Sequence, residues 1–188
     1  MKTTKDFLRI VRASKSPLDY ASGGNGSAQH IGMKLFKFTT GIRLNHVPYR
    51  GQIGGVLDVI GGRVPVMLTS LATVHEQIKA GKLRVIGITS SQRSPLLPEI
   101  ATVSESGVPQ FFYSTWQAMY VPRGAERIIV ERLNAEIAKA VNTSFVHEKL
   151  IQAAMEPATS TPEHLAHLTR TGYDKTARII KMAGIKTD

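Results

Sequence analysis

The chain has no cysteine in its 188 residues. That excludes disulfides, thiolate nucleophiles and cysteine-ligated zinc together. It says little about compartment, because a domain with a sizeable core needs no disulfides. Aromatic residues make up only 6%, with a single tryptophan, Trp116. No two Lys/Arg residues are adjacent and no nucleic-acid motif occurs, so no nucleic-acid partner is expected. No apolar run is long enough to cross a bilayer, so no membrane insertion is expected. The chain opens Met1-Lys2-Thr3-Thr4-Lys5-Asp6 and passes directly into an amphipathic pattern. Without an apolar stretch there, no signal peptide is read, which leaves cytoplasmic retention of the chain as it stands open.

Catalytic signatures are missing as well. There is no G-x-S-x-G, no Gly-Lys-Ser/Thr closing a phosphate loop and no G-x-G-x-x-G at dinucleotide spacing. Asp58 and Glu76 fall on expected helices outside the loops, so no carboxylate pair stands out. His164 and His167 are three apart, but no third ligand is evident. No catalytic residue, metal or cofactor is expected. A basic nucleic-acid-binding α/β domain and a small-molecule enzyme of unknown reaction remain the alternatives from other classes.

Positive charge is plentiful and uneven. Lys and Arg number 24 against 14 Asp and Glu, a net +10. Residues 1–50 hold nine basic residues against two acidic; the rest of the chain is nearly balanced. A local field of that sign steers anions.

That basic stretch contains "YASGGNGSAQH", Tyr20 to His30. Around it the pattern alternates. Thr3-x-x-Asp6 resembles a capping box before a helix carrying Phe7, Ile10 and Val11. Leu18–Ser22 reads as a strand. Ala28, Ile31, Leu35 and Phe38 recur at helical spacing, with Gly41 at the end. Residues 42–48 read as a second strand, and Ile53, Val56, Leu57 and Ile60 as one helical face. Residues 63–70 read as a third strand, blemished by Pro65. Leu71, Val74 and Ile78 give a further helix, and residues 82–90 a near-continuous apolar strand. Strand–helix alternation predicts βαβ units, so residues 1–90 read as an open, parallel-rich α/β sheet. Ligands of such sheets sit outside the carboxyl ends of the strands. The loops there are Ser22–Ser27, Tyr49–Gly54 and Thr69–Ala72, each before a helix.

Residues 90–125 are rich in Ser and Pro, with a second capping-box pattern at Thr102-x-x-Glu105 and an extended stretch over 111–122. Three helices follow. Ile128, Ile129, Leu133, Ile137 and Val141 form one stripe; Phe145, Leu150 and Ile151 a shorter one; and Thr161-Pro162-Glu163 starts the last. These helices have no sheet of their own in the chain.

The loop Ser22-Gly23-Gly24-Asn25-Gly26-Ser27 has the composition of an anion cradle. Glycines admit close backbone approach, and helix N-terminal amides with the helix dipole favour an anion. The same residues also suit an ordinary capped turn. His30 either touches the ligand or packs beneath it, and His46, alternating with Leu44, reads as structural. Arg50 after Tyr49 and before Gly51 could fork onto a carboxylate or be a solvated surface residue. Thr69 and Ser70 offer hydroxyls or caps. Trp116 lines a cleft or packs at a hinge.

Several separated motifs occur in order: "LDYASGGNGSAQHIGMKLFKFTTGIRLNHVPYRG", "DVIGGRVPVML", "IKAGKLRVIGITSSQRSPLLPEIATVSESGVP" and "W…VPRG". Together they resemble the Bug-type substrate receptors of tripartite tricarboxylate transporters. The resemblance implies a type II periplasmic-binding-protein fold, two α/β lobes joined by crossing strands. It also implies a small carboxylate ligand, delivery to membrane transporter subunits, a periplasmic location and no catalysed reaction. It maps carboxylate contacts to Ser22, Gly23, Gly24, Asn25, Gly26 and Ser27, and the family's Tyr-basic-Gly loop to Tyr49, Arg50 and Gly51. Family members normally begin with a signal peptide and a first-lobe sheet. Relative to that pattern, residues 1–112 correspond to a complete second lobe. Residues 113–188 correspond to the return crossing and C-terminal helices of a truncated first lobe. Where Pro65 stands the family often has a polar residue, so that strand is expected to depart from the pattern.

Overall fold

In a computed structural model, residues 1–185 are described. They divide into two compact units, Met1–Thr115 with the described residues from Ile179 onward, and Trp116–Arg178.

The first unit opens with α1 (Thr4–Ala13). Its capping box forms: the Asp6 N–H donates to the Thr3 hydroxyl at 3.1 Å and the Thr3 N–H to the Asp6 carboxylate at 3.3 Å. Next come β1 (Leu18–Ser22), α2 (Ala28–Thr40) and β2 (Leu44–Pro48). α2 ends at Gly41, whose φ of 67° is the left-handed conformation that glycine adopts without strain. α3 (Gln52–Ile60) and α4 (Leu71–Lys79) complete the helices.

β1 and β2 pair in parallel, Leu18 opposite Leu44 through Ser22 opposite Pro48. The alternation puts Leu18, Tyr20 and Ser22 on one face with Leu44 and His46. Ala21, on the other face, meets α3, where a Cβ on Gly55 would come within 3.1 Å of the Ala21 Cβ. Helices therefore cover both faces. The core gathers Phe7, Leu8, Val11, Tyr20, Met33, Phe36, Ile42, Leu44, Val66, Val103, Val108 and Phe111.

The structure corrects three strand expectations. Residues 63–70 contribute one parallel bridge, Met67 to Ala21, with the Ala21 N–H donating to Val66 O at 3.0 Å. Pro65 has no N–H to extend a ladder there. Residues 82–90 likewise give one parallel bridge, Ile88 to Thr102. The Ile86 carbonyl is taken by the Thr4 hydroxyl at 2.9 Å instead of by a strand. Residues 111–122 form no strand. α3 also faces differently than expected. Gly55 and Val56 are buried while Ile53 and Leu57 are exposed. The close approach at Gly55 selects the glycine face for the sheet. Phe38 is exposed as well; Ile31, Met33 and Phe36 supply the buried face of α2.

The Thr102/Glu105 box forms geometrically, with the Thr102 N–H to the Glu105 carboxylate at 2.7 Å and the Glu105 N–H to the Thr102 hydroxyl at 3.0 Å. It closes a turn rather than a helix.

The second unit holds α5 (Arg127–Val141), α6 (Ser144–Gln152) and most of α7 (Pro162–Met182). Neither α5 nor α6 has a buried residue. No helix among the described residues is long and apolar enough to cross a membrane.

Candidate functional site

Parallel strands have their carboxyl ends on the same edge. The loops after β1, after β2 and after the Val66–Met67 bridge segment must therefore emerge together. Hydrogen bonds join them. The Tyr49 N–H donates to Ser22 O at 3.1 Å and the Gly51 N–H to Gly23 O at 3.3 Å, locking the second loop to the first. Gln52, in the first turn of α3, accepts the Thr69 hydroxyl at 2.7 Å and the Thr73 hydroxyl at 3.2 Å. The Ser70 and Thr73 hydroxyls lie 2.7 Å apart.

The glycine loop is largely folded on itself. Ser22 is fully buried. Its Oγ accepts the Gly24 N–H at 3.1 Å and lies 2.5 Å from His46 Nε2. Gly26 N–H donates to His30 Nδ1 at 3.1 Å, Ser27 N–H to Gly24 O at 3.2 Å, and His30 N–H to the Ser27 hydroxyl at 3.3 Å. Gly24 and Gly26 have φ of 119° and 72°, which only glycine adopts readily. A Cβ on Gly24 would also press to 3.1 Å from Tyr49 O. Asn25 and Gly26 form the exposed tip.

α3 and α4 differ from α2 at their starts. Ser27 caps α2, whereas Gly51 and Ser70 precede α3 and α4 without a side-chain cap. The first-turn amides there lack a side-chain acceptor and keep their preference for an anion. Arg50 is exposed beside them, with no acidic partner among the described residues. Tyr49 is held from behind, its hydroxyl donating to Asp58 at 2.5 Å while Arg63 pairs with the same carboxylate. The Asp58 hydrogen bond pushes the Tyr49 phenol upward, and the bonds from Arg63 and Tyr49 hold the Asp58 carboxyl down.

Beneath the loops, His30 is buried and stacks on His46, which stacks on Tyr20. Burial, with the charge of Lys34 and Lys37, holds the His30 imidazole below its ordinary value. Burial, then His30 and the same lysines, pushes His46 down to about 4. Lys37 donates to Leu44 O at 2.6 Å, and burial lowers its own value.

Of the residues expected from the sequence, Ser22, Gly23, Gly24, Asn25, Gly26, Ser27, His30, Tyr49, Arg50, Gly51, Thr69 and Ser70 come together at this edge. Trp116 lies in the other unit, exposed. Sequence reasoning missed Gln52, whose only signal was a polar residue opening a helix after Tyr-Arg-Gly. It placed Asp58 apart from the loops, although Asp58 anchors Tyr49. It read His46 as structural; only the strand register reveals its bond to Ser22. A concavity of about 420 Å³ lined by Ile78, Lys82, Leu83, Leu97 and Ile100 includes none of these residues.

A parallel α/β unit with its loop-to-helix junctions gathered on one edge matches periplasmic binding proteins. BugD aligns with a TM-score of 0.87 at 25% identity, over 100% of this chain and 64% of that one. R. palustris Rpa4515, solved with adipate, gives 0.89 at 28% identity, over 98% and 62%. The chain belongs to the tripartite tricarboxylate transporter receptor family, whose model matches residues 1–185. Relatives include the UPF0065 protein of the tcbD–tcbE intergenic region of Pseudomonas sp. strain P51. That protein is 37% identical over 175 residues, 93% of this chain and 52% of its own length. BugT of Bordetella pertussis is 30% identical over 180 residues, 96% and 55%. The chain thus spans about half the length of these curated relatives.

Proposed function

We propose that the loop edge of the first unit binds a carboxylate group of a small metabolite, as part of a periplasmic solute receptor that serves a tripartite transporter. The observation that carries this is the gathering of uncapped α3 and α4 starts, exposed Arg50 and the Thr69/Ser70 hydroxyls beside a glycine loop that lies in the basic first fifty residues. Rpa4515 with adipate supports a dicarboxylate as the ligand class, and BugD, a periplasmic binding protein, supports the location. In this reading residues 1–112 are one receptor lobe and residues 113–188 the return crossing and C-terminal helices of the other. The exposed apolar stripe of α5 supports that division. Within the site the glycine loop serves mainly as scaffold, because its Gly24, Gly26 and Ser27 amides are already engaged. The α3 and α4 starts and Arg50 meet the carboxylate, and the Thr69 hydroxyl, donated to Gln52, braces the α3 start.

Charge-assisted hydrogen bonds contribute about 1.5–3 kcal/mol each, and a micromolar ligand needs about 8 kcal/mol. A single loop edge therefore reaches about millimolar affinity for a carboxylate. The test is thermal unfolding of the chain across a panel of mono-, di- and tricarboxylates and amino acids. Saturable stabilisation by some carboxylates and none by matched amides is expected. No stabilisation by any carboxylate, together with salt-dependent retention on DNA, would replace the receptor reading with a nucleic-acid-binding one.

A further inference from the structure

A buried cluster under the loop edge links loop geometry to a titration, an inference that rests on the carboxylate-site reading above. Tyr20 and His46 are register partners and stand on the same face of the β1–β2 pair. His30 comes down on that face from the first turn of α2. The three rings form a column, with centroids 4.9 Å apart for Tyr20–His46 and 4.0 Å for His46–His30, the two imidazoles within 9° of parallel.

Both ends of the glycine loop hang on this column. His30 Nδ1 accepts the Gly26 N–H at 3.1 Å, so that nitrogen carries a lone pair and the ring is neutral. His46 Nε2 meets Ser22 Oγ at 2.5 Å, and the same Oγ accepts the Gly24 N–H at 3.1 Å. Gly26 is thus tied through one hydrogen bond to an imidazole, and Gly24 through two to the serine that meets the other imidazole, since its carbonyl also accepts the Ser22 hydroxyl at 3.2 Å.

The surroundings oppose a positive charge. From α2 come Lys34 and Lys37, from β2 His46 itself, and from β1 Tyr20, with the Lys37 ammonium 5.9 Å from the Tyr20 ring centroid. From the segment after Val108 comes Tyr113, whose hydroxyl donates to Ala28 O at 2.7 Å. No carboxylate contributes to the field at either imidazole, and burial and the lysines keep both rings below the ordinary histidine range.

We propose that His30 and His46 are the positioning residues of the glycine loop, and that the loop keeps its geometry only while both rings are neutral. A proton on His30 Nδ1 turns the acceptor of the Gly26 N–H into a second donor facing it. A second charge on His46 sets two cations face to face with two lysines beside them. Acidification then releases Gly26, and the loop edge loses its carboxylate-binding shape. An anion bound nearby would by itself favour protonated imidazole and tighter binding in acid, so the direction of the effect discriminates.

The test follows the Gly24 and Gly26 amides and the His30 and His46 ring resonances of the whole chain by NMR, from about pH 7.5 to about pH 4. Gly26 exchange protection is expected to fall about tenfold, the equivalent of one lost hydrogen bond, at the midpoint of His30. His30→Asn places Oδ1 near the former Nδ1; Gly26 protection should stay high and lose its pH dependence. His30→Phe keeps a ring without an acceptor; protection should be low at every pH. Gly26 protection that stays constant while His30 titrates overturns the proposal, and so does an unchanged pH profile in His30→Asn. Should His30→Asn not fold, the coincidence of the two wild-type titrations decides alone. Adipate is titrated into the same samples. Adipate's own carboxylates take up protons over this range, so the two proteins are compared at each pH: a steeper loss of affinity in acid for wild type than for His30→Asn supports the proposal, and an equal or shallower loss overturns it. Absence of adipate binding at every pH counts against the dicarboxylate reading of the site, while the exchange profile still decides the role of the histidines.

Discussion

The two units have similar helical patterning and opposite outcomes. In the first, α1 and α2 bury Phe7, Leu8, Val11, Met33 and Phe36 against a parallel strand pair. In the second, Ile128, Ile129 and Leu133 of α5 and Phe145 of α6 are exposed, and Ala154 is the one buried residue among those described. An amphipathic stripe specifies a face to be covered, not what covers it. The sheet makes the difference, since β1 and β2 give α2 and α3 something to pack on. The polar loop edge proposed as the binding site rests on the packed unit.

The largest expected effect separates the units by truncation of an apolar side chain. Phe36→Ala should cost about 3–5 kcal/mol of stability, because the ring is buried between Phe7 and Phe111. Ile129→Ala in α5 should cost less than about 0.5 kcal/mol, as exposed sites do. Chemical denaturation of both variants measures this, and equal losses would dissolve the contrast.

Close approach gives the next test. A Cβ on Gly32 would stand 2.5 Å from Leu68 Cδ2 and 2.6 Å from the Tyr113 ring, whereas one on Gly172 of α7 meets nothing within 4 Å. Gly32→Ala should destabilise by about 1–3 kcal/mol. Gly172→Ala should be neutral or stabilising by up to about 1 kcal/mol, since glycine is the poorer helix former. Thermal unfolding of the pair sharpens the distinction between packed and open helices.

Acid should affect the first unit selectively. His46 titrates at about 4 in the folded chain against 6.5 in the unfolded one, and His30 is depressed in the same direction. The unfolded state then binds more protons between those values. Stability is full above pH 6.5 and is lost as the pH falls toward about 4. For rings partly screened by solvent, the folding equilibrium should weaken by about tenfold over that window. Far-UV unfolding curves at stepped pH check this. His46→Phe, which keeps a ring against Tyr20, should flatten the dependence.

The smallest effects are at caps. Thr3→Ala removes one partner of the α1 box and should cost about 1 kcal/mol of global stability. Thr143→Ala removes the hydroxyl that accepts the Val146 N–H of α6 at 3.3 Å. Its loss should register as local fraying in hydrogen exchange, with the main transition unmoved.

Much of the first unit is legible in the sequence. β1 occupies the expected residues, Thr3 and Gly41 bound their helices as read, and the three loops gather as parallel strands require. What sequence could not supply is neighbourhood. Pro65 was visible, but that residues 63–70 shrink to one bridge depends on which carbonyls Ala21 can reach. Ile53 and Leu57 looked like a core face, and only the approach of Gly55 to Ala21 turns them outward. The glycine loop's internal bonds are local, Gly24 to Ser22 and Gly26 to His30, and only the Ser22–His46 contact depends on strand register. Gln52 is legible only once Thr69 and Thr73 are beside it.

The central claim is that the loop edge of the first unit meets a carboxylate. The most direct measurement is an adipate titration of the chain followed by amide chemical shifts, with Arg50→Ala as the comparison. The account expects saturable shifts at Gly51–Gly54 and at Thr69–Ala72, at about millimolar adipate, strongly weakened in Arg50→Ala. Shifts confined to the second unit, or saturable shifts at the edge that Arg50→Ala leaves intact and that a neutral diamide reproduces, would contradict it.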